Sequence, residues 1–220
     1  MKKIIIYGIT DMAEYVSYFI NRDSKVDIVA YTVEKKYKDK DKILNCEVVE
    51  FENIEDIYPP SEYELFIAIG PTEMNKVRER YFVLAKEKGY TLYTYISNHA
   101  IVSSSLGENN FIGDFSVINP NVQFGNNNIM YEHCVIASNA SIGNSCYVAP
   151  RAIVGSHAKV LNNIILGMNS VVNTEVIVAN ESLIGAQVYV SKDTIFKGVY
   201  GQKSTPLIAC ISDKVSFKMI

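Results

Sequence analysis

His157 and Glu175 stand eighteen residues apart, and so do His133 and Arg151. The spacing carries chemical weight because apolar residues in this stretch return every six positions. Three such hexads make one turn of a three-sided β-solenoid. Residues eighteen apart then stack on adjacent coils, about 4.8 Å from one another. A carboxylate beside an imidazole fixes its tautomer and raises its basicity, so His157 with Glu175 reads as a general base and the acid that orients it. His133 is the second candidate base, since Arg151 alongside disfavours the protonated ring. The column of Asn121, Asn139, His157, Glu175 and Asp193 equally suits a plain surface ladder, as does that of Phe115, His133, Arg151, Asn169 and Gln187. Stacked polar side chains recur at solenoid corners. The remaining histidine, His99, has no reactive neighbour in the repeat. A metal centre needs about three converging ligands. His133 and His157 fall on different faces of the coil and no third ligand joins either, so no metal is expected.

The repeat that stacks these residues begins at Ile112. Fourteen successive hexads open on a large apolar residue, from Ile112, Ile118 and Phe124 to Ile184 and Val190. A helix has period 3.6 and a half-buried strand period 2, and neither yields a strict six. The residue four places on is mostly small, as at Ser116, Cys134, Ala140 and Cys146, and the residue one place on is often glycine, as at Gly113, Gly125, Gly143, Gly155 and Gly167. The large residue is expected to fill a triangular interior, the small one to fit near a corner, and the glycine to take the turn. This spacing predicts an all-β parallel β-helix over residues 96–193, with a shortened first coil. Residues 194–220 leave the repeat, and their apolar runs at 207–211 and 215–220 are expected to cap the last coil or touch a neighbouring subunit. Cys134 and Cys146 sit at small interior positions and read as buried fillers, not a disulfide, which fits a reduced, cytoplasmic protein.

Residues 1–95 follow a different grammar. Strands are expected at 2–7, 26–32, 47–51, 64–69 and 91–96. One helix follows Gly8, and a second is capped by Thr72 and closed by Gly89. Alternating strands and helices imply a small parallel α/β sheet with Rossmann-like winding. A dinucleotide loop has three glycines, whereas Gly8-Ile9-Thr10-Asp11-Met12-Ala13 keeps the first, with Ala13 a tolerable third. Thr10 and Asp11 suit a helix N-cap or contacts to a substrate. Glu34, just after the second strand, is placed either to bond a ribose hydroxyl or to remain on the surface.

Hydrophobic residues make up 48% of the 220, and the formal charge is -3 with a pI near 5.7. That balance gives no electrostatic reason to expect a nucleic acid partner. The mixed-sign run over 34–42 reads as a solvated loop. No apolar stretch reaches the ~20 residues of a membrane span, so no membrane insertion is expected, and the apolar run near Met1 is too short for a signal peptide.

Taken together, the two halves resemble the sialic acid O-acetyltransferase-type family of sugar acyltransferases. The resemblance rests on Lys3-Ile4-Ile5-Ile6-Tyr7-Gly8, on Phe66-Ile67-Ala68-Ile69-Gly70, on Lys88-Gly89-Tyr90, and on the hexads with Val148-Ala149-Pro150 and Leu166-Gly167-Met168-Asn169-Ser170. It implies a left-handed β-helix and a homotrimer. It also implies acetyl-CoA or another acyl-CoA as cosubstrate in a groove between solenoids, here around Gly155, Ser156 and Gly167. The acceptor it implies is an amine or hydroxyl of a nucleotide-linked sugar, held partly by the N-terminal domain at Gly8, Thr10, Asp11 and Glu34, in surface-glycan biosynthesis. The family's base is a histidine third in its hexad. Aligned without gaps, that position and the next are Ser138 and Asn139, and a second family position, on the CoA side, falls on Tyr147. His157, one coil above Asn139, then becomes the substitute base, with Ser138 or Asn139 contacting the acceptor. The competing expectation is a catalytically degenerate trimer that binds a sugar nucleotide or a partner protein.

Overall fold

The computed structural model describes residues 2–23 and 26–203. Five strands build the N-terminal sheet: β1 (Lys2–Tyr7), β2 (Val26–Val33), β3 (Lys42–Ile43), β4 (Cys46–Glu50) and β5 (Glu64–Ile67), in the order β3-β4-β2-β1-β5. The central strands are near-continuous apolar runs because helices cover both faces. Ile4 and Ile6 point toward α1 (Asp11–Asp23), where Ala13, Val16 and Ile20 meet them. Ile5 and Tyr7 point the other way, toward Tyr81 and Ala85 of α3 (Lys76–Glu87), the long helix that follows the single turn α2 (Ile54–Ile57). The sheet is mixed, not wholly parallel as expected, because β3 runs antiparallel to β4. Leu44 and Asn45 both have positive φ (44° and 71°), the signature of a tight two-residue hairpin. The helix start also differs from expectation. Glu73, Met74 and Asn75 are all left-handed (φ 51°, 54° and 67°), so α3 cannot begin at Thr72 and opens at Lys76. The expected strand at 91–96 reduces to a Leu65–Leu92 bridge, because Tyr95 already pairs with Phe111 of the solenoid.

From Tyr95 the chain winds into a left-handed parallel β-helix of two-residue strands on three faces. A seven-stranded face runs from Tyr95–Ile96 to Val199–Tyr200, a six-stranded face from Ile101–Val102 to Tyr189–Val190, and a four-stranded face from Gln123–Phe124 to Ile177–Val178. Pairing is in the eighteen-residue register, as with Val135 opposite Ile153, except that the first and last coils are two residues short, Tyr95 pairing with Phe111 and Leu183 with Val199. Hexad leads such as Ile136, Val148 and Leu166 are fully buried, with Cys134, Cys146 and Ala152 packed beside them. Both thiols are pushed up to about 12 by burial, and neither is bonded to another cysteine. Beyond 193, Val199–Tyr200 still pairs with Leu183–Ile184; the runs at 207–211 and 215–220 lie outside the described residues.

The glycine expectation requires a correction. The residue with positive φ stands three places after the lead, as at His133 (59°), Asn139 (63°), His157 (59°) and Glu175 (65°). The glycines instead permit close approach. A Cβ on Gly155 would lie 2.6 Å from the Thr174 nitrogen, and one on Gly167 would lie 2.5 Å from that of Ala186.

The N-terminal domain docks on the first coils of the seven-stranded face. Tyr15 and Phe19 of α1 pack on Phe111, Ile129 and Tyr131, and α3 inserts Arg78 at the corner shared with the four-stranded face. Arg78 is fully buried and donates only to neutral acceptors from both domains. They are the carbonyls of Ile69 (3.0 Å), Gly70 (3.2 Å), Asn127 (3.1 Å) and Cys146 (3.1 Å), and the Asn75 side chain (3.1 Å). Burial lowers its pKa to about 10, so it stays charged at neutral pH. Arg78→Met keeps the aliphatic stem but strands these acceptors. We expect a loss of about 3 kcal/mol, read as a lower urea midpoint at unchanged slope.

Candidate functional site

Two regions carry the chemistry. The first is a cleft of about 820 Å³ at the carboxyl ends of β1 and β5, lined by Tyr7, Gly8, Thr10, Asp11, Glu73 and Arg80 among others. Here α1 leaves β1 toward one face and α3 follows β5 on the other, which makes the crevice a topological switch point, where open α/β sheets bind ligands. Gly8 is required: its φ is +126°, and a Cβ would meet the Ala68 carbonyl oxygen at 2.8 Å. The Thr10 carbonyl accepts from Ala13 N (2.8 Å) and so starts α1, leaving Thr10 and Asp11 exposed at the mouth. The back wall is Tyr7 stacked on Tyr81, centroids 4.3 Å apart. Burial raises the Tyr7 phenol well above its usual range, so it remains a neutral hydroxyl. Glu34 does not line the cleft. Its carboxylate lies 2.8 Å from Lys36 Nζ, and the Lys36 and Tyr81 hydrogen bonds hold its pKa below the usual carboxylate value.

The second region is the corner between the six- and four-stranded faces. Asn121, Asn139, His157 and Glu175 stack there as the spacing requires, all with positive φ. His157 N donates to the Ser138 carbonyl (3.4 Å), and Glu175 N to that of Ser156 (3.0 Å). Ser138, Asn139, Gly155, Ser156, His157 and Glu175 are therefore brought together. The His157 imidazole and the Glu175 carboxylate nevertheless form no hydrogen bond or ion pair with each other. Both are exposed on an outward vertex, where water competes for them. The orienting contact expected of Glu175 is absent within one chain.

The remaining candidates lie elsewhere. His133 sits at the corner between the seven- and six-stranded faces and stacks on Phe115 (5.1 Å), which in turn stacks on His99 (5.5 Å). Gly167 is at that corner too, two coils further along. Tyr147 is half-buried on the seven-stranded face, its ring 5.2 Å from Tyr131 in the tyrosine-rich seam beneath the N-terminal domain. Because that domain covers the seven-stranded face, the cleft and the His157 corner lie on opposite sides of a single chain.

Two features escaped the sequence reading. Arg78 shares one helix face with Tyr81 and Ala85, and a cation at that spacing was the available signal. The left-handed turn at 73–75 had none, since glutamate and methionine rarely adopt it.

Among the described residues, no group of three or more His, Cys, Asp or Glu is arranged to hold a metal ion, and no helix is long and apolar enough to cross a membrane. No protein-family model matches the sequence, and no curated protein matches it. Solved structures share the whole architecture. A mutant of GDP-perosamine N-acetyltransferase from Caulobacter crescentus, in complex with CoA and GDP-perosamine, superposes with a TM-score of 0.68 at 19% identity, covering 90% of this chain and 93% of that one. The acetyltransferase domain of PglB from Neisseria gonorrhoeae gives 0.63 at 15% identity, covering 94% and 100%. WeeI from Acinetobacter baumannii gives 0.61 at 15% identity, covering 91% and 95%.

Proposed function

We propose that this protein transfers an acyl group, acetyl foremost, from a CoA thioester to an amine or hydroxyl of a nucleotide-linked sugar. The observation that carries the reading is the rigid joining of a switch-point cleft to a left-handed β-helix. The same two parts recur along nearly the full length of an N-acetyltransferase crystallised with CoA and GDP-perosamine. The cleft takes the nucleotide. The acceptor nitrogen or oxygen attacks the thioester carbonyl carbon, the new C–N or C–O bond forms, and the C–S bond breaks. His157 receives the acceptor proton and passes it to the departing sulfur, while Ser138 and Asn139 contact the acceptor.

A reaction centre that unites the cleft with His157 needs a neighbouring copy, because the two lie on opposite sides of one chain. Three copies side by side answer this. The outward residues of the six-stranded face, Ile101, Val117, Val135, Ile153, Val171 and Tyr189, supply an apolar surface for the contact. The CoA groove then runs past Gly155, Ser156 and Gly167, with Tyr147 as a further contact on the CoA side. The setting we infer is cytoplasmic synthesis of a surface glycan precursor.

A second reading is a trimer of the same build without catalysis, binding a sugar nucleotide or a protein. It is favoured by Ser138 at the position where a base histidine was expected, and by the unpartnered His157 ring. Calorimetric titration with acetyl-CoA separates the two. The transferase reading expects saturable binding at micromolar to low-millimolar CoA, whereas no heat at millimolar CoA would leave the second reading standing.

A further inference from the structure

The three consecutive left-handed residues at 73–75 form part of the cleft wall, and their conformation is imposed from the solenoid side. A left-handed residue other than glycine costs roughly 1–2 kcal/mol, less for asparagine, so a run including Glu73 and Met74 persists only where its surroundings fix it. The fixing groups are visible. Asn75 is fully buried, donates from Nδ2 to the Ile164 carbonyl (3.2 Å), and accepts from Arg78 Nη2 (3.1 Å). Arg78 also holds the carbonyls of Ile69 and Gly70, which lead into the turn, and those of Asn127 and Cys146 on the solenoid. The turn is therefore clamped at both ends. Its ligand-facing residues are Thr72 and Glu73, both exposed and both lining the cleft. The Glu73 carbonyl accepts from Lys76 N (3.2 Å), but its carboxylate has no hydrogen-bond or ion-pair partner among the described residues.

We propose that Glu73 is the specificity-determining carboxylate of this cleft, held by the clamped turn to accept hydrogen bonds from the ribose hydroxyls of a nucleoside diphosphate. The proposal rests on the reading of the cleft as a nucleotide site. It deepens that reading by moving the ribose contact across the switch point, from the end of β2 to the segment after β5. A carboxylate suits this task because its two oxygens accept from two neighbouring hydroxyls at once, and a fixed backbone spares the entropy of ordering the turn on binding. Asn75 and Arg78 act as positioning residues through the turn.

The test compares ribo- and 2′-deoxyribonucleoside diphosphates of each base by calorimetry. Wild-type protein should bind one ribonucleotide about tenfold more tightly than its 2′-deoxy counterpart, the value of one lost charge-assisted hydrogen bond. Glu73→Gln should erase most of that preference, while Glu87→Gln, exposed on α3 and outside the cleft lining, should keep it. Glu73→Gly should erase it too yet melt no lower than wild type, since glycine adopts this φ freely; a merely structural residue would not separate the two readouts. If wild type binds ribonucleotides and Glu73→Gln retains the full preference, Glu73 is not the ribose carboxylate although the nucleotide reading stands. If no nucleoside diphosphate binds wild type at millimolar concentration, both fall.

Discussion

Val160→Asp is expected to unfold the solenoid. Val160 leads its hexad in the middle of the β-helix, is 1% exposed, and pairs in register with Ile142 below and Val178 above. The interior cluster it belongs to holds apolar side chains, two thiols and small residues such as Ala158 and Ala140, so an aspartate there finds no cation. Burying a carboxylate without a partner costs several kcal/mol even after its pKa rises. A loss of about 4 kcal/mol or more is a large share of the 5–15 kcal/mol by which domains are usually stable. Ile142→Asp should act alike, one coil away. Far-UV circular dichroism reads the outcome, and Lys159→Asp is the control. Its neighbouring side chain points outward on the same strand and is exposed, so that variant should melt within a few degrees of wild type. Full retention of structure by Val160→Asp would mean that the coil interior is not packed as described.

The solenoid was legible because its signal is periodic and local. Each lead residue votes independently for the same register, and the structure keeps that register from Phe111 to Tyr189. Its corner chemistry was legible only in part. The columns through His133 and His157 follow from the period alone, but where their side chains point depends on exposure, which the period does not encode. The glycines were misassigned for a related reason. In sequence, a glycine needed for φ and one needed for close approach look the same, and only the distance from Gly155 to the next coil separates them. In the N-terminal half, the strands and α1 followed from apolar runs and from Gly8. The hairpin at Leu44-Asn45 and the turn at 73–75 are set by contacts and backbone strain, which propensity opposes. Arg78 illustrates the limit most clearly. A charged residue on an apolar helix face marks something unusual, yet its acceptors at Asn127 and Cys146 lie 49 and 68 residues away.

His157→Asn is expected to lower kcat by about 10^2–10^4 while CoA affinity and assembly stay near wild type. The size is that of losing a general base, and corresponds to roughly 3–5 kcal/mol of transition-state stabilisation. Asparagine is the informative replacement because the corner is left-handed. It already occupies the same corner at Asn121 and Asn139 with φ of 62° and 63°, so the variant removes the imidazole without adding backbone strain. Alanine would confound the two, and any loss it caused could reflect a weakened corner. Glu175→Gln should cost less than tenfold, because Glu175 makes no hydrogen bond or ion pair with His157 within one chain and gains a role only if assembly draws the pair together. His133→Asn should be nearly silent, since its ring is committed to the stack on Phe115. An inactive His133→Asn with a fully active His157→Asn would move the base to the other corner. Full activity in both would mean that an amine acceptor already deprotonated attacks a thioester positioned by the groove alone.

The most direct test of acyl transfer is release of free CoA thiol from acetyl-CoA in the presence of UDP-, GDP- and dTDP-linked amino sugars. The account predicts thiol release that depends on one of these sugars, saturates with it, and matches the acetylated sugar mole for mole by mass spectrometry. Thiol release no faster than spontaneous thioester hydrolysis with every sugar, at acetyl-CoA concentrations that calorimetry has shown to saturate the protein, would contradict it.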